Sequence, residues 1–252
     1  MIRIAITKPD FFEGEADKIV SLLGLLSTHQ KAAIPTDEMG RNAVYERKDM
    51  VEDFPMKPFV SKSSEALADK TVGKFDRIHI RKPDASREEI AALLSAIPSG
   101  LHPRLVLHDH FELIEDFPRV GGFHLNRRNP SVSFLLKDDK FVEIFKGEDR
   151  TALSGESLGI KGKTLSRSCH SLDEVAKYKQ ECDYVFLSPI FDSISKVGYS
   201  SAFTSDILQQ ANKDGIIDGK VYALGGISID KIGLLQEWGF GGYAMLGAAW
   251  RD

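Results

Sequence analysis

Eight short runs of Ile, Val, Leu and Phe recur along the chain with helical stretches between them, and this rhythm constrains the fold more than any other feature. The runs are Ile2–Thr7, Arg77–Arg81, Arg104–Asp109, Gly122–Asn126, Thr164–Cys169, Tyr184–Ser188, Val221–Gly225 and Gly242–Gly247. Their apolar residues are continuous rather than alternating, as in strands buried on both faces of a parallel sheet covered by helices. Arg87–Ala96 follows the capping sequence Asp84-Ala85-Ser86, with Glu88 and Glu89 favouring a helix N-terminus. Ser171 and Glu174 have capping-box spacing at the head of a second helix, and Ser228 is the expected N-cap of a third over Ser228–Gln236. Strands alternating with helices over 252 residues predict an α/β fold, a single (β/α)8 TIM barrel, with an open doubly wound sheet as the structural alternative.

Two segments break the rhythm. Residues 28–75 are polar, mixed in charge and punctuated by Pro35, Pro55 and Pro58; lying between the first helix and second strand, they should hang from the bottom of the barrel. Residues 130–163 follow the fourth strand and should emerge on the catalytic face, where Ser131–Phe145 alternates around Asp138-Asp139 like a β-hairpin and predicts a flap. The chain ends soon after the eighth strand, so the last helix is expected to be short or absent; one side of the barrel is then uncovered, which points to a homo-oligomer. A net charge of -4 argues against a nucleic-acid or membrane-surface partner. No stretch has the roughly 20 apolar residues of a membrane span, and no leader precedes the first strand. The two cysteines, Cys169 and Cys182, form no CxxC motif, which suits free thiols in a cytoplasmic protein.

In such barrels chemistry sits at the C-terminal ends of the strands. Here those ends carry His79 and Arg81-Lys82, His108-Asp109-His110, His124-Leu125-Asn126-Arg127, Ser166-Arg167-Ser168-Cys169-His170, Ser188-Pro189, Gly225-Gly226-Ile227 and Leu246-Gly247. The glycines on strands seven and eight are a phosphate signal, because backbone N–H groups can approach an anion closely there; a plain tight turn is the competing explanation. Ser193, Ser195 and Lys196 in the loop after strand six add hydroxyl donors and a cation. Five of the seven histidines, His79, His108, His110, His124 and His170, fall at or beside strand ends. His108-x-His110 could project two imidazoles at one metal ion, as a metal hydrolase would need. Acid–base work by one histidine, with the others positioning substrate, is the other reading.

In order and spacing, the motifs IHIRK (78–82), HDH (108–110), GFHLN (122–126), SRSCHS (166–171), SPIFDSISK (188–196), ALGGI (223–227) and AMLG (244–247) resemble the thiamine phosphate synthase/TenI superfamily. The resemblance covers residues 1–27, 76–129 and 164–252. It implies thiamine biosynthesis and a phosphorylated thiazole bound at Gly225, Gly226 and Gly247. Two activities are then open. A synthase couples hydroxymethylpyrimidine diphosphate to the thiazole phosphate with Mg2+, and would use Asp109 as metal ligand and Ser193, Ser195 and Lys196 on pyrophosphate. A TenI-type tautomerase moves a proton on a thiazole carboxylate phosphate without cofactor, and would use His170 as the acid–base group. Departures weigh on the synthase: His79 stands for the family's Gln, Pro83 for its Lys, His108 for the Asn of its Asn-Asp pair and Asn129 for its second aspartate. The resemblance therefore slightly favours the tautomerase, with His79, Arg81, Lys82, His108, Asp109, His124, Ser168 and Lys196 as substrate-binding residues. A non-catalytic thiazole or thiamine phosphate binding protein is a third reading.

Overall fold

The computed structural model describes residues 1–24, 75–131, 163–192 and 203–250. These form strands β1 (Ile2–Ile6), β2 (Arg77–Ile80), β3 (Leu105–Leu107), β4 (Gly122–Leu125), β5 (Thr164–Cys169), β6 (Tyr184–Leu187), β7 (Val221–Leu224) and β8 (Gly242–Met245). Each pairs in parallel with its neighbours in chain order, and β8 closes on β1 through Ile2–Gly242, Arg3–Tyr243, Ile4–Ala244 and Ala5–Met245. Closure decides for the TIM barrel over an open sheet. The described helices are α1 (Glu15–Leu23), α2 (Arg87–Ala96), α3 (Leu172–Tyr178), α4 (Ser205–Lys213) and α5 (Ile232–Glu237). None is long and apolar enough to cross a membrane.

Most strands stop one or two residues short of the apolar runs. The released residues, among them Thr7, Arg81, His108, Asp109, Asn126, Ser188 and Gly225, leave the ladder and form the mouth. The helix signals hold at α2, where Ser86 and Glu89 make a full capping box. At α3, Ser171 caps the Glu174 N–H while the Glu174 carboxylate takes the N–H of His170 instead of the cap's own. Ser228 behaves differently from expectation. Its side chain makes no capping bond and is drawn to Asp230, and a 3-10 turn over Ile229–Lys231 precedes α5. After β8 the described chain makes a 3-10 turn over Gly247–Trp250, and the Trp250 indole N–H donates to Ile6 O at 2.6 Å.

The barrel has two cores. Outside the strands, Ile78, Leu105, Phe123, Val185 and Val221 pack with helix residues such as Ile19, Ile90 and Leu94. Inside, Ile4, Ile6, Tyr184, Phe186 and Ala244 fill the barrel, with Tyr222, Leu224 and Leu246 against them. That apolar filling comes from β1, β6, β7, β8 and the strand ends beside them; the inward residues His79, His124 and Ser166 of β2, β4 and β5 are polar and buried.

At the foot of β2, the Phe75 N–H donates to Leu22 O at 2.8 Å, and Arg104 donates to the carbonyls of Leu23, Phe75 and Asp76. Thus Gly24 and Phe75 both lie at the N-terminal end of the barrel. The expected bottom insertion, most of the expected hairpin flap, and residues 251–252 lie outside the described residues.

One ion pair locks the loop after β1 to the end of β2. Lys82 is fully buried; its Nζ donates to both Glu15 carboxylate oxygens at 2.7 Å and to Asp10 O at 2.8 Å, and sits 4.4 Å from the Phe11 ring centroid. Burial alone pushes Glu15 up and Lys82 down, and their mutual attraction opposes both shifts. Removing one partner strands a charge without water. Lys82→Met is expected to destabilise the protein by about 3–5 kcal/mol, while Lys82→Met with Glu15→Leu recovers most of that loss. Urea unfolding of both variants checks this; equal stability of Lys82→Met and wild type would show that the pair is solvated.

Candidate active site

The polar half of the interior is a hydrogen-bonded floor. His79 Nδ1 lies 2.8 Å from His108 Nε2, and His79 Nε2 lies 2.7 Å from the Tyr184 hydroxyl. His124 places Nδ1 2.9 Å from Ser166 Oγ and Nε2 2.8 Å from Ser168 Oγ. Tyr184 also bonds the Ser166 side chain, and the His108 and His124 rings stack at 4.1 Å. The chain Ser168–His124–Ser166–Tyr184–His79–His108 is therefore continuous. Among the described residues no buried side-chain donor or acceptor is left without a partner.

Burial keeps this floor neutral. It drives His79 and His108 well below the ordinary histidine range, helped by charge on neighbouring imidazoles, and lowers His124 to about 3 with help from Arg167 and Arg81. Burial likewise raises Tyr184 to about 12. At neutral pH these groups orient one another as dipoles.

The expected His108–His110 metal pair does not form. β3 ends at Leu107, so strand alternation no longer governs residue 110; His110 takes φ 52° and bonds Ala85 O and Glu112 instead. A different trio, His79, His108 and His124, brings ligand atoms within 4.8 Å of one another. Five of their six ring nitrogens bond one another, Tyr184 or two serines. The His108–His110 pair on which the hydrolase reading rests is therefore replaced by a trio tied into the floor.

Above the floor opens a cavity of about 130 Å3, smaller than the ~300 Å3 at which drug-sized pockets begin, so its described walls suit one small group. Its polar wall is Arg81, His108, His124, Asn126, Arg128 and Ser168; Ile6, Phe186, Leu224 and Leu246 make the apolar wall. Arg81 is half-buried, its backbone clasped by Thr7, and its guanidinium is pushed below the usual arginine range by burial and then by Arg128. Asp109 is engaged: Arg128 Nε and Nη2 reach its carboxylate at 3.0–3.2 Å, and Asn129 Nδ2 donates to it at 2.9 Å and to His108 O at 2.9 Å.

Not every expected residue reaches this cavity. Lys82 does not: its ammonium is consumed by Glu15, so the substrate-binding role expected of it is corrected to a structural one. His170 sits at the end of β5, exposed, with Nδ1 3.2 Å from Ser188 O. A carbonyl neighbour makes Nδ1 the protonated nitrogen and leaves Nε2 as the basic one. The adjacent Cys169 is buried and raised to about 12, which makes it a packing residue.

Across the mouth, Gly225 and Gly226 have φ of 97° and 64°. A Cβ on Gly226 would meet Asp192 O at 2.4 Å, and one on Gly225 would meet the Pro189 Cα at 2.9 Å, so the turn requires both glycines. Lys231 Nζ donates to Gly226 O at 3.1 Å and stands 4.5 Å from the Phe191 ring centroid, putting a cation beside that turn. Gly247 has open space where a side chain would be. Ser193, Ser195 and Lys196 lie outside the described residues.

Two contributors escaped sequence reasoning. Arg128 follows directly on a strand-end motif that was read only as far as Arg127. Tyr184 begins β6, and only inward alternation with Phe186 could have assigned it to the floor.

A family model described as thiamine monophosphate synthase matches residues 147–249. A thiamine-phosphate synthase of Bacteroides fragilis is 30% identical over 179 residues, spanning 68% of this chain and 77% of that protein. One of Mannheimia succiniciproducens is 24% identical over 143 residues, and the match spans just over half, 56%, of that protein. Among solved structures, thiamine phosphate pyrophosphorylase from Bacteroides thetaiotaomicron superposes with a TM-score of 0.62 at 29% identity, covering 99% of this chain and 85% of that one. The Pyrococcus furiosus enzyme of the same name, at 0.55 and 13%, shares the fold.

The neutral floor sets a pH dependence. A histidine depressed in the folded state takes up a proton on unfolding once pH falls below its unfolded value of ~6.5, so stability is held above that value and lost below it. Each floor histidine should contribute a slope of about 1.4 kcal/mol per pH unit between pH 6 and pH 5. Urea unfolding at pH 7 and pH 5 measures the loss; a flat profile would mean that the imidazoles are solvated.

Proposed function

The chain belongs to the thiamine phosphate synthase/TenI family, and we propose that it couples a hydroxymethylpyrimidine diphosphate to a thiazole phosphate, releasing pyrophosphate. The observation that carries this reading is the pair of anion-receptive ends facing each other across the mouth. Arg81 and Arg128 form one, and the Gly225-Gly226 turn with Gly247 forms the other. Coupling two phosphorylated molecules needs both. The names borne by the relatives point the same way, so the balance shifts toward coupling from the proton transfer that the resemblance slightly favoured.

In this reading the thiazole phosphate lies on the backbone of Gly225, Gly226 and Gly247, where glycine allows close approach of N–H groups to an anion. The heteroaromatic ring takes the apolar wall of Ile6, Phe186 and Leu224. His124 and Ser168 meet polar ring substituents; His79 acts through His108 to hold that wall in place. As the new bond forms at the pyrimidine methylene, the C–O bond to diphosphate breaks and its electron pair leaves with pyrophosphate. The guanidiniums stabilise that departing charge. Ser193, Ser195 and Lys196 are proposed as further pyrophosphate donors. Both substrates are small phosphorylated molecules, and the setting is cytoplasmic.

Mg2+, which a synthase of this family implies, does not fit the donor set. Such an ion takes an octahedral shell of oxygens anchored on the protein by one or two free carboxylates, with water and phosphate supplying the rest. Here both oxygens of Asp109 face Arg128, and Asn129 turns its N–H2 toward the same carboxylate.

One observation keeps the tautomerase as a second reading: exposed His170 stands at the end of β5 with Nδ1 held on Ser188 O, an imidazole placed for acid–base work. Incubating the protein with hydroxymethylpyrimidine diphosphate and thiazole phosphate decides between them. Thiamine phosphate is the expected product. Binding of both substrates without product would overturn coupling; if the thiazole carboxylate phosphate were then isomerised, His170→Ala should abolish that turnover with affinity intact, and no turnover at all would leave a binding protein. Gly226→Ala is expected to weaken thiazole-phosphate affinity at least about tenfold at unchanged diphosphate affinity, by calorimetry.

A further inference from the structure

The cationic wall of the cavity is only partly balanced by the protein's own charge. Asp109 neutralises Arg128 through Nε and Nη2, which leaves Nη1 without a protein partner among the described residues. Arg81 enters the same cavity half-buried and has no carboxylate within ion-pair distance among the described residues. Burial and the neighbouring guanidinium disfavour its charge, and Asp109 and Asp84 offset this only in part. Two cations held this way repel each other until an anion comes between them. A planar guanidinium offers paired N–H donors matched to the oxygens of a phosphoryl group and stays charged when partly desolvated.

Asn129 completes the arrangement. Its Nδ2 donates at 2.9 Å both to the main-chain oxygen of His108 and to Asp109 Oδ1, so the amide presents hydrogens to the carboxylate. A carboxylate at that position would repel Asp109 and call for a bridging cation; the amide ties Asp109 down instead. Arg128 then occupies the carboxylate oxygens that a divalent ion would need.

We propose that Arg81 and Arg128 bind the substrate's diphosphate group directly, so that this chain holds it without a divalent cation. The inference rests on the coupling reading for the identity of the diphosphate. In physical terms a fixed guanidinium, positioned by Asp109 and Asn129, does the charge neutralisation that a mobile ion would do, and its planar donors select oxyanions in pairs.

The test is calorimetric titration of inorganic pyrophosphate into the full chain, in EDTA and in Mg2+. Equal affinity in both is expected, with inorganic phosphate at least about tenfold weaker. Arg128→Gln should weaken binding at least about tenfold in EDTA, and added Mg2+ should restore part of it, because the freed Asp109 carboxylate now accepts the ion. Arg128→Gln with Asn129→Asp should acquire an electron paramagnetic resonance signal for bound Mn2+ that the wild type lacks. The exposed position of Arg128 makes these variants foldable, and a thermal melt verifies it. Wild-type binding that requires Mg2+, or that is unmoved by Arg128→Gln, would overturn the inference, as would equal affinity for phosphate. Tight metal-free pyrophosphate binding with no thiamine phosphate formed would instead uphold this site and remove the coupling reading.

Discussion

A closed parallel barrel shuts water out of its lower interior, so every inward polar side chain must be satisfied by another inward side chain. That constraint organises the molecule. β2, β4 and β5 bring His79, His124 and Ser166 inward, and β6 answers with Tyr184 from the opposite, apolar side. The hydroxyl of Tyr184 is the joint between the two halves, because it is the one group among the described residues that bonds both the β2 histidine and the β5 serine. A phenylalanine there would fill the same volume and leave buried His79 Nε2 without its partner, at a cost of about 1–3 kcal/mol, while Ser166 would keep its bonds to His124 and to Phe123 O. The precision of the cavity wall above is inherited from this floor.

The mouth uses charge in two ways that differ only in burial. Lys82 and Glu15 are both nearly inaccessible, so their pairing is obligatory, and its product is a fixed loop after β1. Arg128 and Asp109 pair at the rim, where Arg128 keeps substantial exposure and donors to spare. The first pair is architecture; the second is available to a ligand because water and anions can compete for it. Consecutive cations on one strand end, Arg81 and Lys82, are thereby assigned opposite tasks, since successive side chains leave a strand on opposite faces.

This alternation also explains what could be read in advance. Continuous apolar runs made the eight strands legible, because a two-sided burial requirement leaves no room for polar periodicity; capping chemistry made α2 and α3 legible for the same local reason. Closure of β8 on β1 followed from strand number. The division of Arg81 from Lys82 was obscured because both precede Pro83 and the strand's last paired residue is Ile80, so the face of each depended on where the ladder ended. His110 was misassigned by the same error, extending strand periodicity beyond Leu107. Tyr184 looked like core because a tyrosine's apolar body packs whether or not its hydroxyl has work to do. The roles of Ser193, Ser195 and Lys196 rest on sequence order alone.

The division between a neutral floor and a cationic rim has a chemical logic. Histidines left charged beneath Arg81 would add repulsion to a guanidinium that Asp109 and Asp84 support only in part, and raise affinity for any anion indiscriminately. Held neutral by burial, the same rings serve as directional donors and acceptors, while net charge stays at the rim. In the proposed coupling, ring recognition is thus separated from phosphate capture by depth, and the boundary falls at the residue where each strand leaves the hydrogen-bonded ladder. Chemistry between two phosphorylated molecules needs that separation, because each must keep its anion near solvent while the reacting ends meet where water is scarce.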